Sequence, residues 1–301
     1  MKQTHKKAKI KQTRGDIIYG AIVTGSIIIA GILAIYPVLF VLSASVSNPV
    51  EVNSGHVLLF PKGIQWEGYE LVFKNQWILK GYRNSLIYTI LGTVLNVAAT
   101  VMAGFALSRK DLYGRKLLNW FIAIPMWFGG GLIPTYLVVN GLRLVNTPII
   151  LIILGLVSTY NIIICRTFMD SLPAELQDAA RIDGCNDFKT LSHIILPVSA
   201  PIIAVLCLYY AVGHWNNYFE AMIYVNNKEW QTLQVFLREI LIQNISIDES
   251  MQDTEELLRR MELANIMKYS LIVVASVPML IAYPFVQKFF VKGVMVGTVK
   301  G

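Results

Sequence analysis

The densest mixture of aromatic and polar side chains in this sequence is the segment from Tyr209 to Glu220, YYAVGHWNNYFE. Amide side chains hydrogen-bond hydroxyl groups, and flat aromatic rings pack against the C–H faces of sugars. The same composition is typical of the aromatic belt at a membrane interface, so the residues alone leave both interpretations open. The candidates to line a path for a carbohydrate are His214, Trp215, Asn216 and Tyr218.

No pattern in the chain is typical of catalysis. The glycine run Gly129–Gly131 lacks the lysine of a G-x-x-x-x-G-K-[ST] phosphate-binding loop. No paired carboxylates lie within an apolar stretch, and the cysteines lack the close Cys/His spacing of a zinc site. We therefore expect a chain that is not an enzyme and that binds no cofactor or metal ion itself. The scattered histidines and cysteines are His5, His56, His193, His214, Cys165, Cys185 and Cys207.

A second informative segment is the charged loop of residues 170–197. Ser171 is predicted to cap a helix that has Pro173 in its first turn. Gly184 is predicted to end this helix in the left-handed conformation, and Asn186 to cap a second helix. A short helix with a small, partly apolar face, followed by a tight turn and another helix, fits a groove on another protein.

The spacing in this loop resembles the EAA motif of binding-protein-dependent ABC importer permeases, E-A-A-x3-G-x9-I-x-L-P. The matching residues are Asp178-Ala179-Ala180, Gly184, Ile194 and Leu196-Pro197, with Asp178 in place of the usual glutamate. The extended form, Ala179 to Gly184, is similar to that of the carbohydrate, maltose-type branch. The resemblance runs from about Lys9 to Gly301 and is greatest to a polysaccharide or complex-oligosaccharide subgroup.

This resemblance implies a type I ABC importer permease fold, with a cytoplasmic coupling helix between the fourth and fifth spans. It implies import of an oligosaccharide with three kinds of partner: a second permease subunit, two cytoplasmic ATPases that bind ATP and Mg, and an extracellular lipoprotein that binds the substrate. The alternatives are a permease for a non-sugar solute and a membrane scaffold for polysaccharide synthesis. The residues implied to dock on the ATPase are Asp178, Ala179, Ala180, Asp183 and Gly184.

Composition shows which elements must carry these segments. The chain has 301 residues, of which 55% are hydrophobic and only 15% charged, against about 25% charged in a soluble domain. About 20 apolar residues cross a hydrocarbon core, and six stretches of that length lack charge, which leaves no room for a nucleotide-binding domain. We predict an all-α integral membrane protein with spans at about 17–43, 84–108, 117–139, 146–168, 198–225 and 269–290.

The distribution of charge predicts the orientation. With the basic tail 1–16 inside, an even number of spans places the tail 292–301 on the same side. Inside segments then carry 16 basic and 7 acidic residues, and outside segments 10 and 12, as the positive-inside rule requires. The charges favour contact with anionic lipid over nucleic acid. The apolar run after the tail is too long for a signal peptide, so we expect a multi-pass protein of the bacterial cell membrane with both termini cytoplasmic.

Two outside segments and several helix breakers complete the prediction. Residues 47–82 are predicted to form a loop on the outer surface. Residues 226–268 are predicted to form a helical hairpin whose apolar stripe packs against the bundle or a soluble partner. The stripe consists of Leu233, Phe236, Leu237, Ile240 and Leu241. Breaks are expected in the first, third and last spans, at Pro37, Pro125, Gly129–Gly131, Pro134, Pro278 and Pro284.

Overall fold

The computed structural model describes residues 13–243, 264–265, 267–284 and 287, and every regular element among them is helical. The basic tail before Thr13 and the tail 292–301 lie outside the described residues. In chain order the helices are α1 (Arg14–Ser45), α2 (Pro49–Asn53), α3 (Glu67–Lys74), α4 (Gln76–Ser108), α5 (Arg115–Ala123), α6 (Leu132–Gly141), α7 (Ile150–Ile153), α8 (Thr159–Asp170), α9 (Glu175–Ile182), α10 (Asp187–Lys189), α11 (Leu196–Val198), α12 (Ala200–Trp215), α13 (Phe219–Tyr224), α14 (Leu233–Gln243) and α15 (Met267–Pro284).

Three described helices, α1, α4 and α15, are long and apolar enough to cross a bilayer. α1 begins at a capping box formed by Thr13 and Asp16 and continues without a break across Pro37. α4 begins at Gln76 rather than near residue 84, because the Asn75 side chain accepts hydrogen bonds from the first-turn amides. The predicted outer loop 47–82 therefore contains α2, α3 and the first turns of α4.

The predicted third and fourth spans are both broken helices, as was expected for the third. In the third, α5 leads through a 3-10 turn at Ile124–Met126 to α6, and Gly131 has φ of 80°. In the fourth, a turn with Gly155 at φ 74° separates α7 from α8, a break that the sequence analysis did not predict. Glycine adopts positive φ at little cost. Lipid cannot satisfy the freed backbone groups, so these breaks must face protein or a cavity.

The predicted fifth span, 198–225, is also irregular. Its first part is α12, and an irregular turn at 216–218 separates α12 from α13. The helical segment Asp187–Val198, which includes a π-helical turn at Thr190–Ile195, meets α12 at 86°. If this bent pair counts as one span, the described residues contain four helices or helix pairs of spanning length.

α4 is the central helix and packs against α8, α12 and α14. One buried cluster joins Phe105 of α4 to Cys165 of α8 and Leu206 of α12. Gly104 permits this close approach, because a Cβ atom there would lie 2.8 Å from Cys165 Sγ. Small residues at such positions let two membrane helices approach closely.

The apolar stripe of the second outside segment packs against the bundle, which is one of the two alternatives that the sequence left open. Leu233 and Phe236 are buried, and Leu237 and Ile240 pack against the same cluster as Trp215 of α12. The segment is fixed to α4 by polar contacts as well, since Asn84 Nδ2 donates to the carbonyls of Glu229 and Gln231. The rest of the predicted hairpin, residues 244–263 and 266, lies outside the described residues.

Candidate functional site

The loop between α8 and α12 folds as a helix, a tight turn and a second helix. α9 ends at Ile182, and the Cys185 amide donates to the Ala180 carbonyl across the turn. Gly184 has φ of 71°, so it is left-handed as predicted. Asn186 caps the second helix as predicted, because its Oδ1 accepts from the Lys189 amide at 2.9 Å.

The predicted cap at the start of this loop is wrong. Ser171 follows α8, and its hydroxyl donates to the Phe168 carbonyl at 2.6 Å. α9 begins at Glu175, after Ala174, without a side-chain cap. A serine hydroxyl can bond either to the preceding turn or to the following amides, and here the end of α8 takes it.

The predicted docking residues lie mostly on the surface of this loop. Ala180 is fully buried because α9 packs against the π-helical turn 190–195. The other four are exposed: Asp178, Ala179, Asp183 and Gly184. Two large apolar side chains flank the turn and face outward, Ile182 at 86% exposure and Phe188 at 73%. The loop therefore presents an apolar, partly charged surface around the Gly184 turn.

Ion pairs connect this loop to the segment between α4 and α5. Arg109 donates to Asp111 from Nε at 2.9 Å and to Asp187 from Nη1 at 2.6 Å. Arg181 of α9 donates to the same Asp111 carboxylate. The hydrogen bonds that Arg109 donates hold the pKa of the Asp111 carboxyl well below its usual range. The same bonds raise the pKa of Arg109. Sequence analysis missed this network, since its members are distant in sequence.

A second ion-pair group closes the end of α8. Arg166 lies one helical turn before Asp170 and pairs with it, with Nε 3.7 Å from Oδ2. Asp170 has a nearer partner, since Arg115 of α5 donates to it at 2.7 Å. A cavity of about 150 Å³ lies between this group and α9, and Asp178 and Gln177 line it.

A further cavity, of about 380 Å³, is lined by α4, α12, the break between α7 and α8, and the turn between α12 and α13, and we call it the α4–α12 cavity. Three of the predicted path residues line it: His214, Asn216 and Tyr218. Asn96 of α4 lines it as well and is 2% exposed. Among the described residues, Asn96 Oδ1 and His214 Nε2 are both buried without a hydrogen-bond partner. Buried polar atoms are normally paired, so these two atoms can accept a bond from water or from a ligand.

Trp215 is placed differently. Its indole is 1% exposed, belongs to the cluster with Leu233 and Leu271, and donates from Nε1 to the Ala275 carbonyl at 2.9 Å. It lines a second cavity, of about 430 Å³, between α12, α14 and α15. The structure therefore brings three of the four predicted path residues together and places Trp215 on the opposite side of α12.

Glu220 has a hydrogen-bond partner within the same turn. Its Oε2 accepts from Asn217 Nδ2 at 2.7 Å, and both side chains line the α4–α12 cavity. The Asn217 carbonyl in turn accepts from Thr232 Oγ1 at 3.1 Å. These bonds fix the turn between α12 and α13 against the segment that leads into α14.

Asn96 is the cavity residue that sequence reasoning missed, although the sequence carries a signal for it. Polar residues recur in α4 at helical spacing, at Thr89, Thr93, Asn96 and Thr100. A polar stripe within an apolar helix must face protein or a cavity rather than lipid. Within the described part of the chain, no group of three or more His, Cys, Asp or Glu residues could hold a metal ion.

Known proteins resemble the chain over almost its whole length. It is 34% identical over 284 residues to the polygalacturonan/rhamnogalacturonan transport system permease protein YtcP of Bacillus subtilis, covering 94% of this chain and 99% of that protein. It is 35% identical to protein LplC of Bacillus subtilis, covering 90% and 91%. A solved bacterial ABC transporter that imports the acidic polysaccharide alginate contains a chain with a TM-score of 0.85 and 30% identity, covering 94% of this chain and 100% of that one.

A second match shares the fold alone. A chain of the alginate transporter in complex with an alginate pentasaccharide-bound periplasmic protein has a TM-score of 0.58 and 16% identity. The family model of binding-protein-dependent transport system inner membrane components matches residues 78–296, which is most of the sequence. Residues 78–296 include the loop around Gly184 and the residues that line the α4–α12 cavity. The chain therefore belongs to the family of binding-protein-dependent transport system inner membrane components.

Proposed function

We propose that this chain is a permease subunit of an ATP-driven ABC importer that moves an oligosaccharide from an extracellular binding protein into the cytoplasm. The loop around Gly184 carries the proposal, because it exposes Ile182 and Phe188 beside a tight turn. Exposed apolar side chains on a charged loop are typical of a docking surface. One permease that it resembles is named for polygalacturonan/rhamnogalacturonan transport, and one solved transporter that it resembles is involved in alginate import. Both support a carbohydrate substrate.

The docking surface would meet a cytoplasmic ATPase. Ala180 holds α9 against the following helix, so a push on the exposed residues moves both helices together. ATP and Mg would be bound by two such ATPases and not by this chain. A change of state requires contacts that differ between two conformations, and a helix seated in a cleft supplies them. The residues assigned to this contact are Asp178, Ala179, Ala180, Asp183 and Gly184.

The proposed topology has six spans. α1, α4 and α15 supply three, and the broken segments 117–139, 146–168 and 198–225 supply the others. The surplus of basic residues places both termini and the loop 170–197 in the cytoplasm of a bacterial cell. Residues 226–268 then face outward, where the binding protein delivers its sugar. A second permease subunit would cover part of the exposed apolar surface.

The α4–α12 cavity is the proposed sugar path. Hydroxyl groups of a sugar can donate to Asn96 Oδ1 and bond to His214 Nε2, which have no hydrogen-bond partner among the described residues. Asn216 and Tyr218 supply an amide and an aromatic ring at the same cavity. A volume of about 380 Å³ lies within the range of small-molecule sites. Because Trp215 is buried in the cluster with Leu233 and Leu271, we propose that it stabilises α12 and does not contact the sugar.

One experiment tests the docking assignment. The binding protein is first tested against a panel of neutral and acidic oligosaccharides to find the sugar that it prefers. The transporter is then reconstituted with its partner subunits, and uptake of that sugar is measured. Gly184→Trp should abolish uptake while the ATPases still hydrolyse ATP, because the turn no longer fits its cleft. Gly55→Trp is the matched control, since Gly55 also has φ near 72° and open space around its Cα. Unchanged uptake in Gly184→Trp would refute the assignment.

A further inference from the structure

The segment between α4 and α5 contacts both helices that flank the Gly184 turn. Arg109 donates to Asp187 at the start of the second helix. Asp111 accepts from Arg181 in the last turn of the first helix. The two residues are also joined to each other, since Arg109 donates from Nε and Nη2 to the two Asp111 oxygens at 2.9 and 2.8 Å.

The geometry of Arg109 makes this network different from scattered surface pairs. Its side chain is only 12% exposed, and its guanidinium forms a fork on one carboxylate while a third nitrogen binds another. Paired N–H groups on a carboxylate fix orientation as well as distance. An exposed pair such as Arg181–Asp111 would contribute little to stability if it stood alone. The network therefore acts mainly by fixing the direction of the two helices relative to α4.

Ala180 packs α9 against the following helix, but a left-handed glycine between the two helices still leaves the angle at the turn adjustable, because glycine has the greatest backbone freedom. A push on a hinged loop would change the angle between its two helices and would not reach the membrane helices. The contacts of Arg109 and Asp111 oppose this, since they connect each helix separately to the end of α4. α4 is also the helix on which α8, α12 and α14 pack.

We propose that Arg109, Asp111, Arg181 and Asp187 form a clamp that holds the two helices at a fixed angle and passes the motion of the docked partner to α4. The proposal rests on the proposed function, since it assumes that a partner moves this loop. These are positioning residues, because none of them is among the proposed docking residues and their contacts join the loop to the segment that follows α4. Sugar import then requires an intact clamp as well as an intact docking surface.

The test uses the assembled transporter in lipid nanodiscs with its partner subunits. Asp111→Asn removes the shared charge with little change in shape, and Lys116→Gln is the control, because Lys116 is exposed and forms no ion pair among the described residues. Hydrogen exchange of the amides in residues 175–190 is measured together with ATP hydrolysed per sugar imported. In Asp111→Asn we expect the exchange rate of these amides and the number of ATP molecules hydrolysed per sugar to rise about five-fold or more, the low end of typical coupling effects. In the control we expect neither quantity to rise.

The outcomes separate the clamp from the docking assignment. Unchanged exchange in Asp111→Asn would overturn the clamp, and so would faster exchange with an unchanged ratio of ATP to sugar. If Asp111→Asn fails to assemble, Arg109→Lys keeps the charge but removes the fork, and it should show the same two changes. When the docking assignment alone fails, Gly184→Trp imports sugar normally. When the clamp alone fails, Gly184→Trp is uncoupled and Asp111→Asn behaves like the control.

Discussion

The Tyr210 hydroxyl lies 2.6 Å from the Thr100 hydroxyl and accepts a hydrogen bond from the Ser158 amide at 3.1 Å. Either hydroxyl can donate the proton of the bond between Tyr210 and Thr100. One side chain of α12 therefore bonds both α4 and the residue that caps α8. Tyr210 also lines the α4–α12 cavity, and Thr100 is fully buried.

Tyr210→Phe should destabilise the bundle by about 1–3 kcal/mol, because it leaves two buried polar groups without a partner. Thermal unfolding of the purified complex in detergent measures the effect. Tyr209→Phe is the matched control, since Tyr209 is 41% exposed, and its melting temperature should stay within error of the parent. Equal losses in the two variants would contradict this assignment of the hydroxyl.

Gly92→Ala should also destabilise the bundle, by about 1–3 kcal/mol, as expected for overpacking. A Cβ atom at Gly92 would collide with the His214 ring, whose side chain is held between α4 and α12. Gly31→Ala, in α1 with open space around it, should be neutral or slightly stabilising, because alanine favours a helix. The same unfolding assay applies, and a Gly92→Ala melting temperature at or above that of Gly31→Ala would refute the close contact.

Trp215 and Asn216 are neighbours in sequence but should respond differently. Trp215→Phe removes the bond to the Ala275 carbonyl and should cost about 1–3 kcal/mol of stability, with the KM for sugar unchanged. Asn216→Ala should raise the KM several-fold with little loss of stability, because Asn216 is exposed at the cavity wall. Uptake kinetics and unfolding on the same preparations decide the matter. A raised KM in Trp215→Phe would restore Trp215 to the sugar path.

The clamp should be insensitive to mild acid. The pKa of Asp111 lies below its ordinary value of 3.8, chiefly because Arg109 donates hydrogen bonds to it. A lowered pKa contributes stability that is fully present above the ordinary value and is lost as pH falls through the folded value. Amide protection of residues 175–190, corrected for intrinsic exchange, should therefore be the same at about pH 7 and about pH 5. A loss of protection by pH 5 would point to another titrating group.

Much of the fold could be predicted because local sequence encodes it. The uncharged apolar runs locate the membrane-embedded segments, and the left-handed Gly184 and the Asn186 cap follow from residue type and spacing. The prediction that Ser171 caps α9 was wrong because its hydroxyl could bond either to the end of α8 or to the start of α9. Local sequence does not decide between these two partners. The break at Gly155 was missed because an isolated glycine in an apolar run is compatible with a continuous helix.

The sequence by itself determined the class of protein, the family and the turn around Gly184, since these depend on composition and on residues close together in the chain. Only the tertiary structure decided that Trp215 packs against Leu233 and Leu271 while His214 lines the α4–α12 cavity, because adjacent residues on a helix point about 100° apart and packing selects which side faces the cavity. It also brought Arg109 and Asp111 to Arg181 and Asp187. Contacts between residues so far apart in sequence depend on how whole helices pack, which local residue patterns do not specify.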